Sequence, residues 1–310
     1  MRLARRKFLK NVATGLFVPV FPAIVKGQAF SFGDQAFMAQ AAAAAGCNPL
    51  ITSWASRVVA NGGAAPSAGT QTALCTFANG LITDSLDTQM IAWNALVPDS
   101  LTAAITPQLV GGGNDPWTNN GPFVSGDLTI NGLIGNGSSK YLDPNLLPSN
   151  IYNSVNEGGI TIYAFSNPNA TNCDAGAADS GGANSLALQM YLGTTYWDCY
   201  NSSGGRISAS NSGFTGYVSG NRIASNNTAI YEANSGTAHN ALVTGATNGG
   251  ALPGIAIVFF ALNQTGTGVN TFSNQRLSFC ALHHGLTSGQ SALFYARIQQ
   301  LRTDLGGGFV

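Results

Sequence analysis

The pattern of apolar and polar positions changes character part-way along this chain. Between residues 34 and 109, apolar side chains recur every three or four positions, the period of a helix with one buried stripe. An alanine-rich segment at 37–45 predicts a first helix. Leu50, Trp54 and Val58 share one face of a second, which Asn61-Gly62-Gly63 ends. Ser67 is placed to cap a third that carries Leu74, Phe77 and Leu81. Leu86, Met90, Trp93 and Val97 predict a fourth, and a short fifth starts at Pro98-Asp99 and stops at Pro107. Residues 30–110 are therefore expected to form a small helical subdomain.

Val110-Gly111-Gly112-Gly113-Asn114-Asp115-Pro116 reads as a linker, and beyond it the period becomes two. Short strands are expected at 128–134, 140–143, 159–165, 185–192, 195–200, 206–210, 215–219, 229–233 and 241–244. Two more are expected at 254–262 and 276–282; the first is apolar on both faces and so predicts a strand buried on both sides. A last helix carries its own start and stop. Thr287 is the N-cap, Gln290 its capping-box partner, and Gly306-Gly307-Gly308 the end. Leu293, Phe294, Ile298, Leu301 and Leu305 form its apolar repeat. Many short strands at turn-marked spacing mean a mainly β protein, a β-sandwich with a C-terminal helix.

Two stretches carry a resemblance. Arg276-Leu277-Ser278-Phe279-Cys280-Ala281-Leu282-His283-His284-Gly285-Leu286-Thr287, with the helix after it, resembles the closing segment of concanavalin A-like (laminin G-like) jelly-roll domains. Gly132-Leu133-Ile134-Gly135-Asn136-Gly137-Ser138-Ser139-Lys140-Tyr141-Leu142-Asp143 resembles the opening strand pair of that family. The versions most like it occur in phage, prophage and environmental bacterial proteins. The two stretches bracket about residues 121–305. The resemblance implies a concanavalin A-like jelly roll over 111–310; it implies no single activity, because such sandwiches host lectins, glucanases and spacers.

Composition narrows the functions. Charged residues make up 8%, with 13 basic against 13 acidic, which excludes the basic footprint of a nucleic-acid binder. So few charges at zero net charge suit a protein packed into an assembly or working outside the cytoplasm. Within residues 1–29, Arg5-Arg6-Lys7-Phe8-Leu9-Lys10 resembles the twin-arginine export motif, with Ala4 where Ser or Thr is usual. The stretch 12–25 holds Pro19 and Pro22 and is too short and broken to span a bilayer. The expectation is export to the periplasm, cell surface or medium, with cleavage near Ala29. Virion proteins of the resembling group often begin with a similar segment, so a virion is the alternative.

Catalytic patterns are sparse. A jelly-roll glucanase needs paired carboxylates, but the glutamates Glu157 and Glu232 each lack an acidic neighbour within five positions. Ala178-Asp179-Ser180-Gly181-Gly182 resembles the nucleophile segment of chymotrypsin-like proteases. All three histidines, His239, His283 and His284, follow it, opposite to that family's order, so a turn is the better reading. His283-His284 has no further ligand at metal spacing and reads as structural. No cofactor is expected. Calcium is the one exception to weigh, since some laminin G-like domains bind it on loops; Asp174 and Asp179 are the candidates, without the usual alternating-aspartate spacing.

Five cysteines make an odd set. In an oxidising compartment Cys173–Cys199 could tie a loop to a strand end and Cys47–Cys75 could join two helices, with Cys280 left as a buried thiol. Five reduced small hydrophobes is the alternative. For sugar recognition, Tyr196-Trp197-Asp198-Cys199-Tyr200-Asn201 offers aromatics beside polar groups, and Trp117 beside Asn119 and Asn120 offers another platform. The candidate ligand-binding residues are thus Trp117, Tyr196, Trp197, Asp198 and Asn201. Period two sends Tyr196 and Trp197 to opposite faces, so one of the pair belongs to the core. At least one of the two indoles is expected at the surface. The expected function is a non-enzymatic recognition or adhesion module for a glycan or surface polysaccharide. The alternative is a structural building block of a virion, filament or surface layer, with its own copies or other surface proteins as partners. A glycoside hydrolase comes last.

Overall fold

The computed structural model describes residues 46–166, 171–211, 215–247 and 250–308. The arginine-rich segment, the cleavage point near Ala29 and the alanine-rich helix at 37–45 lie outside these residues.

The chain folds as two antiparallel sheets facing each other, with a layer of helices on one of them. The first sheet contains β1 (Met90–Asn94), β3 (Leu128–Thr129), β4 (Gly132–Ile134), β6 (Gly158–Ala164), β11 (Gly216–Ala224), β12 (Asn227–Asn234), β13 (Thr237–Gly245) and β17 (Arg276–His283). Its order is β13-β12-β11-β6-β17-β4-β3, with β1 on the other half of β17's free edge. The second sheet contains β2 (Thr118–Asn120), β5 (Tyr141–Leu146), β7 (Ala175–Ala178), β8 (Ser185–Tyr191), β9 (Thr194–Tyr200), β10 (Arg206–Ser210), β14 (Ile257–Phe259), β15 (Leu262–Gln264) and β16 (Gly268–Asn270). Its order is β10-β9-β8-β7-β14-β5-β2, and the β15–β16 hairpin adds to β7 through a parallel pairing. Of the strands expected from period two, 128–134 is instead a tight hairpin, β3 folding back on β4, and the others are present, most with shifted ends.

Between the sheets lies an apolar core that includes Leu133, Leu142, Ile160, Ile162, Leu186, Leu188, Trp197, Val218, Ile230, Phe259 and Phe260. The outer face of the first sheet is covered by α1 (Pro49–Ala60), α2 (Ala68–Thr83) and α5 (Ser288–Asp304); a short α3 (Leu101–Ile105) and one turn, α4 (Pro148–Ile151), complete the helices. In this second core Phe77 meets Trp93 edge-on at 5.0 Å, Trp93 stacks near Phe279, and Phe279 meets Phe294 at 5.7 Å. Thr287 and Gln290 form the expected capping box, and Ser67 caps α2 by accepting from the Thr70 amide. In α5, Phe294, Ile298 and Leu301 are buried, whereas Leu293, expected in the stripe, is 45% exposed. Arg302 takes the remaining inward position, its guanidinium over the Phe165 ring and hydrogen-bonded to the Ile130 carbonyl.

Two expectations about elements need correction. Residues 86–97 were expected to form a helix, but Met90–Asn94 is a strand paired with β17. Leu86, Met90, Trp93 and Val97 are all buried, and an element buried on both sides carries no periodicity that separates helix from strand. The free half of β17's edge then decides the matter. β1, on the N-terminal side of the expected boundary at 110, accordingly belongs to the first sheet of the sandwich. The apolar run at 254–262 is likewise broken. Phe260 has φ of 71°, so the chain leaves β14 antiparallel to β7 and returns as β15 parallel to it.

Candidate ligand-binding face

Helices cover the first sheet, and no described helix has an extended contact with β8, β9 or β10 of the second. Register fixes what this face presents. Leu186, Leu188 and Met190 of β8 and Thr195, Trp197 and Cys199 of β9 pair across the ladder; their apolar members lie in the inter-sheet core. Ala187 opposite Asp198, and Gln189 opposite Tyr196, must then face outward. Arg206 pairs with Asp198 and Ser208 with Tyr196, which extends the two rows onto β10.

Asp198 organises these rows. Arg206 donates to it through Nε at 2.5 Å and through a terminal nitrogen at 2.8 Å, a forked contact that fixes the guanidinium plane. Ser185 donates to the same carboxylate at 3.1 Å and Gln189 at 3.2 Å. Asp198 is buried although it lies on the outer side, because Arg206 and its neighbours close over it. The carboxylate in turn holds the Arg206 guanidinium above its ordinary range. That guanidinium sits 4.8 Å from the centre of the half-exposed Tyr196 ring, and Tyr191 meets Tyr196 edge-on at 5.0 Å. Tyr191 also donates to Gln189 at 2.9 Å. On the β7 side Leu262 and Cys173 fill the space that Gly176 leaves, because a Cβ there would lie 2.9 Å from Leu262 Cδ1 and 3.1 Å from Cys173 Sγ. The result is a rigid corner of two tyrosines beside an internally neutralised ion pair.

The structure moves the expected aromatic platform. Both indoles are buried within the chain, Trp117 at 1% and Trp197 at 0% exposure, so neither is a sugar platform. Trp197 faces the core, where Gly220 makes room for it: a Cβ on that glycine would lie 2.3 Å from the indole. Trp117 precedes β2 and stacks on Phe259 at 4.9 Å. Asn119, expected beside Trp117 as a ligand group, instead bonds both backbone groups of Phe123. Asn201 is a turn former, its side-chain oxygen accepting from the amides of Ser203 and Gly204. Tyr196 and Asp198 stay on the face, the first as surface and the second as support. Tyr191, Gln189, Ser185 and Arg206 were missed; their alternation along β8 and β10 was visible, but nothing local marks which side is open.

Asp174 is fully buried, with Ser273 donating at 2.6 Å and the Met190 amide at 3.1 Å, and burial pushes its carboxyl up to about 7. Asp179 accepts from Asn184 at 2.6 Å in the turn before β8. Neither offers free oxygens to a common point, and no group of three metal-ligating residues exists among the described residues. Cys47 and Cys75 are disulfide-bonded, with Cα atoms 5.2 Å apart. Cys173 and Cys199 are not: both are buried free thiols, on opposite sides of the second sheet, Cys199 in the core and Cys173 beside Leu262 on the outer side. Cys280 is also a buried free thiol, as expected.

His283 is buried against Gly159, accepts from the Gly285 amide and lies 2.9 Å from Thr161 Oγ1. His284 faces Glu157 at 3.3 Å. Glu157 precedes Gly158, which pairs with Arg222, whereas Glu232 pairs with Val218 four residues along the same strand and on its other side. At about 3.3 Å per residue and about 4.8 Å per strand, the two glutamates are about 15 Å or more apart, beyond a glycosidase pair.

No protein-family model matches the chain, and no curated protein matches it. Among solved structures, it is similar to the carbohydrate-binding module CBM40 of the Ruminococcus gnavus IT-sialidase, at 13% identity over 45% of this chain and 83% of that one, with a TM-score of 0.33. The binding domain of botulinum neurotoxin DC, in complex with rat synaptotagmin II, matches at 14% identity, 54% and 42% coverage and a TM-score of 0.37. A mutant GH54 α-L-arabinofuranosidase matches at 12% identity, 57% and 40% coverage and 0.36. Similarity at these values carries no argument about what the chain binds; that it is a β-sandwich rests on its own two sheets.

Proposed function

We propose that the chain is a non-enzymatic recognition module that binds an uncharged glycan on the outer face of the second sheet. The observation that carries this reading is the tyrosine corner. Tyr191 and Tyr196 are held by Gln189 and by the Asp198–Arg206 pair on a face that no described helix covers. Aromatic rings stack on the apolar C–H faces of sugars, while amide and guanidinium donors meet the hydroxyls. Because Arg206 is already neutralised by Asp198, the corner offers little to a charged sugar that it does not offer to a neutral one. The Cys47–Cys75 disulfide and the arginine-rich N-terminal segment both support work outside the cytoplasm.

One feature favours the building-block alternative. β13 is a nine-residue edge strand of the first sheet that contains no Lys, Arg, Asp, Glu or Pro, the residues that usually guard an edge against pairing. A glycan array probed with the full chain separates the two readings. Saturable binding to a neutral glycan, weakened at least tenfold by Tyr196→Ala with the circular dichroism spectrum unchanged, is the expected result. Failure to bind any glycan, together with concentration-dependent assembly in size-exclusion chromatography, would replace recognition by assembly.

A further inference from the structure

Where β12 and β13 meet the start of α5, a cavity of about 560 Å³ opens. Its walls include Asn226 and Asn227 from the β11–β12 turn, Tyr231 from β12, Thr244 from the end of β13, and Thr287 and Ser288. No acidic or basic side chain is among the lining residues. Three independent observations give it a chemistry.

The first is the helix start. α5 runs for 17 residues, and Thr287 and Gln290 satisfy each other's groups in the capping box. The amides of Ser288 and Gly289, the first two of the helix, make no hydrogen bond to any described residue, and they carry the positive end of the helix dipole. The second is Tyr231. It is 5% exposed, it lines the cavity, and its hydroxyl makes no hydrogen bond to any described residue. Burial pushes its phenol up, so it remains a donor. The third is Arg222, buried at 1% exposure with no carboxylate partner among the described residues. Its guanidinium is held by the carbonyls of Cys199, Ser225 and Thr247 and by the Thr247 hydroxyl. Ser225 and Thr247 are the sequence neighbours of Asn226 and Ala246, both cavity residues. A permanent cation that no side chain neutralises therefore lies just behind the wall.

The start of α5 and Tyr231 thus line one cavity, a guanidinium lies behind its wall, and no carboxylate is among its lining residues. We propose that this cavity binds a small oxyanion group, a carboxylate or a phosphate, at the start of α5, where Ser288 and Tyr231 line it. The site is independent of the glycan reading, since it shares no residue with the tyrosine corner.

The test is a titration of the full chain, observed by amide NMR shifts, with sodium phosphate and separately with sodium acetate, at ionic strength held constant with chloride. Saturating shifts at Ser288 and Gly289 with either ion are expected, and the tighter ion assigns the group. Tyr231→Phe removes only the hydroxyl and should weaken binding at least fivefold. Ser288→Pro deletes one amide donor at the helix position where proline is best tolerated, and should weaken it about tenfold with helicity unchanged. Shifts that never saturate, or affinities unchanged in both variants, would overturn the site.

Discussion

Two buried residues set opposing responses to pH. Burial pushes His283 down to about 3, so below its ordinary value near 6.5 the unfolded chain gains a proton that the folded chain refuses. Its contribution is complete above about pH 6.5 and is lost as pH falls towards 3. Asp174 has the reverse sign: burial raises it to about 7, so its contribution is complete below about pH 4 and is lost as pH rises towards 7. Between about pH 4 and 6.5 the two slopes, each about 1.4 kcal/mol per unit for one proton, cancel. The stability difference between wild type and Asp174→Asn should therefore fall as pH rises from 4 to 7. Urea midpoints at four pH values measure it, and a difference that does not change with pH would show that Asp174 holds no proton in the fold. Legibility at this scale is uneven. The opposite facing of Tyr196 and Trp197 follows from strand period, but which face is core depends on Gly220, a residue on the other sheet that gives the indole its space.

At the scale of elements, α5 shows what local sequence can specify. Its cap, its last turn and its buried stripe of Phe294, Ile298 and Leu301 follow from signals within about twenty residues. Ile298 is fully buried against the second core, so Ile298→Asp should cost more than about 3 kcal/mol by leaving a charge unpaired there. Chemical denaturation checks this, and unchanged stability would mean that the helix is not part of the core. β1 is the contrasting case. Four of its five residues are buried and Ile91 partly so, so apolar spacing fits helix and strand alike, and only the vacant edge of β17, some 190 residues later, selects the strand. Phe260 is similar: the run around it reads as one strand, and the reversal at its positive φ has no glycine to announce it.

For the whole molecule, the covalent tie and the sheet work together. Cys47–Cys75 closes a loop of 28 residues at the outer layer, so reducing it, or Cys75→Ala, should cost about 2–4 kcal/mol. A melting temperature that does not move with reductant would show that this bond contributes nothing. Seen as a problem of synthesis, the β1–β17 pairing has a further consequence. Ribosomes deliver the chain from its N-terminus, so α1, α2 and β1 emerge with their apolar sides unmatched, and their partners Phe279, Phe294 and Ile298 come last. The first helical layer must wait through the making of nearly every strand of both sheets before it can dock. Any helper that holds nascent chains would find its longest-exposed target in residues 49–97, and a pause late in translation would leave that target open longest.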